Sequence, residues 1–220
     1  MEFNINNWLE LVIEKLQKSF SNRLLFIGLQ GSYNRNEATT DSDIDVVIIL
    51  DELRFEDLKE YRQIVKEMPY KEKACGFISG KKELQNWSKT DLFQFFYDTK
   101  PIFGNLADIT EPPSLGDIQK TIKTSSETLY HAAVHSFVHS NNYIEDLQNF
   151  YKMTFFILQA KYFIDTNNYV PSKKKLIEKL SGTDKEILNI CINKTEISTK
   201  NKEEIENLYK KIIKWASDKI

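Results

Sequence analysis

Two short apolar runs, Leu24-Leu25-Phe26-Ile27-Gly28-Leu29 and Val46-Val47-Ile48-Ile49-Leu50, lie on either side of a glycine and a cluster of aspartates. Each run is rich in strand formers and too short for an isolated helix, so each reads as a buried strand. Between them stand Gly31-Ser32-Tyr33-Asn34-Arg35 and then Asp41-Ser42-Asp43-Ile44-Asp45. A chain that must bury both runs has to bring this polar connection to one end of a sheet.

The connection has a chemical reading. Gly31 breaks the first strand and lets another group approach the main chain closely. Ser32 offers a hydroxyl, and its amide opens a short helix through Arg35, Glu37 and Ala38, where unsatisfied N–H groups attract anions. The second strand begins near Asp43. Alternation points Asp43 and Asp45 to one face and Ile44, Val46 and Ile48 to the other, while Val47 and Ile49 carry the acid face into the core. Two adjacent carboxylates repel unless a cation sits between them. The order therefore suggests a phosphate cradle beside a divalent-metal site. Two plainer readings compete. One is an ordinary strand-to-helix turn followed by an Asx-type turn at Ser42. The other is a calcium loop with Asp41, Asp43, Asp45 and Glu52 as ligands, which fails because Val46 stands where the loop's sharp turn wants glycine.

Gly31-Ser32 followed by Ser42-Asp43-Ile44-Asp45 resembles the signature of the nucleotidyltransferase (DNA polymerase β-like) superfamily. The resemblance covers residues 23–50 by motif and the first half of the chain by layout. It implies an α/β (α+β) domain with a small mixed sheet, and transfer of a nucleoside monophosphate from a nucleoside triphosphate to an acceptor hydroxyl with release of pyrophosphate. It further implies Mg²⁺ or Mn²⁺ on Asp43 and Asp45, and phosphates on Gly31 and Ser32; Arg35, close after Ser32, reads as a phosphate contact from its position alone. A third carboxylate is expected as ligand or general base. The layout puts it near Gly76, where there is no acid. Asp91 is the first substitute, Glu72 the second, and a site with no third acid stays open. With it stays the alternative of a catalytically degenerate nucleotide-binding or protein-interaction module of the same fold.

The chain has 220 residues, 41% hydrophobic and 28% charged, with a net charge of −2. That composition buries a core and creates no global field for nucleic acid or membrane. Cys75 and Cys191 form no metal-type pair, and the first eight residues lack a signal-peptide layout, so the expected compartment is the cytoplasm. No apolar run reaches membrane-spanning length. Helical spacing is expected over 6–20 and 55–68, a third strand over 74–78, a short helix over 82–87 and an extended piece over 101–104. Residues 91–97 fit helix or strand equally.

Glu111-Pro112-Pro113-Ser114-Leu115-Gly116 has linker chemistry. It divides a catalytic domain, 1–111, from an all-α bundle, 112–220, which in the resembled superfamily closes over the substrate. Long helices are expected over 117–140 and 143–166. Pro171-Ser172 opens another, and capping boxes are expected at Thr183–Glu186 and Asn201–Glu204, with Glu206 pairing to Lys210. His131, His135 and His139 share a helix face. They read as a semi-buried surface lining the interdomain cleft, with a plain core or surface stripe and a zinc site as alternatives. Lys173-Lys174-Lys175 reads as a solvated face. The acceptor fits a small hydroxylated, aminoglycoside-like molecule, with a protein or an RNA end still open.

Overall fold

The computed structural model describes residues 3–220. Met1 and Glu2, where the readings of the amino terminus and of the first domain begin, lie outside the described residues. The chain divides into two compact units, one ending at Pro112 and the other running Pro113–Ile220.

In the first unit, α1 (Ile5–Phe20) buries Trp8, Leu9, Val12, Leu16 and Phe20, one helical stripe, and Asn4 caps it by accepting from the amides of Asn6 and Asn7. There follow β1 (Leu24–Gln30), α2 (Gly31–Asn34), β2 (Ile44–Leu50), α3 (Phe55–Glu67), β3 (Ala74–Gly80), α4 (Lys81–Gln85), α5 (Leu92–Tyr97) and β4 (Lys100–Phe103). The strands form one sheet in the order β3-β2-β1-β4. β1 runs antiparallel to both neighbours and β3 runs parallel to β2, so the sheet is mixed. Alternation divides β2 between two cores. Ile44, Val46, Ile48 and Leu50 pack with Trp8, Val12, Leu16 and Ile64, whereas Val47 and Ile49 pack with Phe26, Leu84 and Leu92. Each such side chain contributes about 1.5–3 kcal/mol on burial, which pins the register that puts Asp45 where it is.

Three local readings are refined. The helix after Gly31 ends at Asn34 because Asn36 takes a left-handed φ of 56°, so Glu37 and Ala38 lie outside it. Residues 92–97 are helical, with Leu92 and Phe93 buried on one side. The extended piece at 101–104 becomes β4, an edge strand, where Pro101 is tolerated because the outer side of such a strand needs no N–H.

The second unit is helical: α6 (Leu115–His139), α7 (Tyr143–Thr166), α8 (Lys173–Lys179), α9 (Gly182–Ile192) and α10 (Lys202–Ser217). Its core gathers Leu129, Tyr151, Phe155, Leu188, Ile212 and Trp215. The Asn201–Glu204 capping box forms. The one expected at Thr183 does not, because α9 starts at Gly182 after Ser181, placing Thr183 inside the first turn. Asp184 instead accepts from the Trp215 indole N–H at 2.7 Å and lies 3.4 Å from both Lys161 and Lys219. Burial raises its carboxyl, but these donors outweigh burial and hold it below the ordinary range. Glu206 pairs with Lys202, four residues before it, at 3.9 Å, where the spacing suggested Lys210. The three histidines are exposed, not semi-buried. Among the described residues, no helix is long and apolar enough to cross a membrane.

Candidate functional site

The two strands place Gln30, the last residue of β1, opposite Asp45, the second residue of β2. Paired residues on antiparallel strands share a face, so Gln30 and Asp45 stand side by side. Gly31 follows with φ +72°, and a Cβ built on it would come 2.0 Å from Oδ2 of Asp45. Glycine is thus required twice over, by its left-handed backbone and by the carboxylate that lies against its α-carbon. Ser32 is the second residue of α2. The turn is closed by the Arg35 amide donating to the Gly31 carbonyl at 3.1 Å and the Glu37 amide donating to the Ser32 carbonyl at 2.9 Å.

Asp43 is exposed and immediately precedes β2, while Asp45 is half-buried. Their i,i+2 spacing gives them one face. The loop before them is pinned: the Thr39 amide donates to Ser42 Oγ at 2.8 Å, the Ser42 amide donates to the Thr39 carbonyl at 3.1 Å, and the Lys73 ammonium donates to the Thr40 carbonyl. The structure therefore brings Gly31, Ser32, Asp43 and Asp45 to one end of the sheet.

The remaining candidates fall elsewhere. Arg35 caps α2, but its guanidinium donates to the Asp98 carboxylate, and its Nε lies 3.7 Å from Glu37 Oε2. Asp91 is exposed at the start of α5. The contacts of this region to Gln30 are made by Phe95 and Thr99, four and eight residues after Asp91. Glu72 is exposed in the turn leading into β3. Because Ala74 pairs with Ile44, Glu72 belongs to the same end of the sheet as Asp43. Along β3, Cys75 pairs with Asp45 and Gly76 with Val46. A Cβ at Gly76 would lie 2.0 Å from the Val46 carbonyl oxygen, so the position where the third acid was expected has no room for a side chain.

Sequence reasoning missed Asp98, Gln30, Asn34 and Thr99. The Gln30 side-chain amide donates to Thr99 Oγ1 at 2.5 Å and to the Phe95 carbonyl at 3.2 Å. Asn34 Nδ2 donates to the Asp98 carbonyl at 2.7 Å. These contacts span more than sixty residues of sequence and leave no local pattern.

Among the described residues, no group of three or more histidine, cysteine, aspartate or glutamate side chains gathers as a metal site. A two-carboxylate set still suits Mg²⁺, which takes one or two carboxylates and completes its shell with water and phosphate oxygens. The missing Cβ at Gly31 lets the Asp45 carboxylate lie directly against the main chain there.

Residues 9–92 match the family model described as a nucleotidyltransferase domain. No curated protein matches the sequence. Among solved structures, the spectinomycin adenyltransferase AAD(9) from Enterococcus faecialis, with ATP and spectinomycin, aligns over 98% of this chain and 99% of that one, at 16% identity and a TM-score of 0.60. A toxin–antitoxin structure with AMP-PNP aligns over 59% of this chain and 94% of that one, at 20% identity and a TM-score of 0.33, a likeness too loose to bear on this chain. The matched segment holds the whole Gly31–Asp45 corner, and over its full length the chain shares the fold of the adenyltransferase, an α/β unit followed by helices: residues 9–92 are similar to a nucleotidyltransferase domain.

Proposed function

We propose that this enzyme moves a nucleoside monophosphate from a nucleoside triphosphate to a hydroxyl of a small acceptor, releasing pyrophosphate. The observation that carries the reading is the Asp45 carboxylate packed against the α-carbon of Gly31, with Asp43 two residues away on the same face. Asp43 and Asp45 would hold Mg²⁺ or Mn²⁺. Gly31 and Ser32 would receive the β- and γ-phosphates through backbone N–H groups and the Ser32 hydroxyl. The bound metal would offset charge growing on the transferred and leaving phosphates. An acceptor oxygen forms the new bond to the α-phosphorus as the α–β bridging bond breaks, and the hydroxyl proton passes to a carboxylate or to solvent. Asp91 was the first candidate for that carboxylate, but the register favours Glu72, at the Asp43 end of the sheet.

Two observations favour a small acceptor. The adenyltransferase solved with ATP and spectinomycin matches nearly the whole of both chains, and the net charge of −2 offers no general field for nucleic acid. A role for residues 113–220 in binding the acceptor belongs to the same proposal. So does a cytoplasmic location, in keeping with two free cysteines.

The test incubates the protein with Mg²⁺ and each labelled triphosphate against hydroxylated acceptors that include spectinomycin. Label should reach one acceptor with pyrophosphate release and disappear in Asp43→Asn/Asp45→Asn. Transfer that survives both substitutions overturns the site. A second reading, the degenerate module, is favoured by β3, whose seven residues include no acid. Metal-dependent nucleotide binding without pyrophosphate release across the panel would establish it.

A further inference from the structure

α2 is a single turn of four residues, and a helix that short has no stability of its own in water. Something outside it must hold Gly31 against Asp45. The segment from Phe95 to Thr99 does so at both ends. At the front, Gln30 donates to Thr99 Oγ1 and the Phe95 carbonyl. At the back, Asn34 donates to the Asp98 carbonyl and Arg35 to the Asp98 carboxylate.

Asp98 is the charged member of this clamp. It is 7% exposed, fixed by its own amide donating to the Gln94 carbonyl at 2.8 Å. The Arg35 side chain is 12% exposed, and its Nε is buried without a hydrogen-bond acceptor. Asp98 is the carboxylate hydrogen-bonded to this enclosed guanidinium, with Glu37 3.7 Å from its Nε, and removing Asp98 leaves the buried charge short of that partner.

We propose that Asp98 is a positioning residue that, through Arg35, holds the Gly31–Ser32 turn against Asp45 and so sets nucleotide affinity. The last clause rests on the nucleotidyltransferase reading of the site; the first does not. Arg35 acts here as the clamped partner of Asp98, whereas the sequence had suggested a direct phosphate contact.

Asp98→Asn and Asp98→Glu are the test variants, with Arg35→Ala and the double variant Arg35→Ala/Asp98→Asn. Hydrogen exchange reads positioning directly. In Asp98→Asn, the amides of Arg35, Asn36 and Glu37 should exchange about tenfold faster while α1 and α6–α10 keep their protection. Asp98→Glu should restore part of it. Calorimetry with Mg²⁺ and a nonhydrolysable triphosphate reads the consequence. Affinity should fall about tenfold in either single variant and no further in the double, because the two act as one unit. Unchanged exchange at residues 35–37, or protection lost evenly over the whole first unit, overturns the proposal. So does a double variant whose losses add, which would make Arg35 an independent phosphate contact. If the wild type binds no nucleotide, the functional reading fails while the exchange arm still decides the positioning.

Discussion

The β1–β2 pair carries an arginine and a set of aspartates at each of its two ends. At the end nearest Leu50, Arg23 donates to Asp57 Oδ1 at 2.7 Å and Oδ2 at 2.9 Å, to Asp51 at 3.1 Å and to the Glu52 carbonyl at 2.8 Å. Asp57 also accepts from the Arg54 amide at 2.8 Å. Every contact there is made by the protein to itself. At the opposite end Arg35 is engaged by Asp98, while the Asp45 carboxylate lies against the α-carbon of Gly31, with Asp43 two residues before it. The first end is a lock between β1, β2 and α3. The second is the recess at Gly31, whose acids would hold a cation under the function proposed above. Acids alone therefore do not mark a site; what distinguishes the two ends is whether the arginine is spent on the acids that the strand presents.

The sharpest way to break that comparison is Asp45→Asn. If the recess works on bound ligands and contributes little to folding, nucleotidyl transfer falls on the order of a thousandfold. The melting temperature holds or rises, since one of two neighbouring carboxylates loses its charge. Steady-state kinetics and calorimetric melting on the same sample check both halves. A variant that melts much earlier would make the two ends alike.

The lock should give the reverse pattern. Arg23→Met removes the donor shared by Asp57, Asp51 and the Glu52 carbonyl and should cost about 2 kcal/mol, read by urea unfolding, with nucleotide affinity unchanged. The lock also fixes a pH dependence. The Arg23 hydrogen bonds lead, against burial and with the Arg54 amide, in holding the Asp57 carboxyl below its ordinary range. A group depressed in the folded state contributes stability that is fully present above its unfolded pKa, about 3.9, and lost as pH falls through the folded value. Wild-type unfolding free energy should therefore drop on acidification below about pH 4, and Asp57→Asn should flatten that drop.

Sequence made the recess more legible than the lock, for a physical reason. Asp43 and Asp45 lie i,i+2 at the head of an apolar strand, and the period of two assigns their face without knowledge of any other element. The same period sorts Ile44, Val46 and Ile48 from Val47 and Ile49, so both sheet faces were readable. Arg23 and Asp57, like Arg35 and Asp98, meet only because α3 and α5 fold back on the sheet, and no local period records such a return. α5 itself was ambiguous because Leu92-Phe93-Gln94-Phe95-Phe96-Tyr97 is rich in aromatics that fit a strand; it folds as a helix with the adjacent Leu92 and Phe93 both buried, Leu92 against the sheet. The histidine stripe shows the converse. Spacing fixed a shared face on α6, but exposure depends on what packs there, and spacing does not encode that.

Gly31→Ala sharpens the recess side by testing shape without altering charge. The left-handed backbone alone costs about 1–2 kcal/mol for a residue with a Cβ. The added methyl must also displace the Asp45 carboxylate, which stands 2.0 Å from it. Affinity for Mg²⁺ with a nonhydrolysable triphosphate should fall by roughly tenfold or more, alongside a modest loss of stability. Intact binding would mean that the carboxylate's seat against Gly31 is incidental.

The smallest effect separates two acids inside the lock. Asp51 is half exposed and meets Arg23 through a single Nε contact at 3.1 Å, while the Asp57 side chain is 9% exposed and takes both terminal nitrogens. Water screens the first pair and the second is largely sheltered, so the two should differ although they share one guanidinium. Asp51→Asn should cost no more than about 0.5 kcal/mol, and Asp57→Asn several times that, because it leaves Arg23 short of its buried partner. Urea unfolding at neutral pH and again in high salt checks the contrast. Salt should erase the Asp51 effect and leave most of the Asp57 effect. Equal costs at both positions would mean that the lock depends on charge near Arg23 in general and not on the enclosed, two-pronged pair with Asp57, and the distinction between the two ends of the sheet would then have to rest on the Gly31 corner alone.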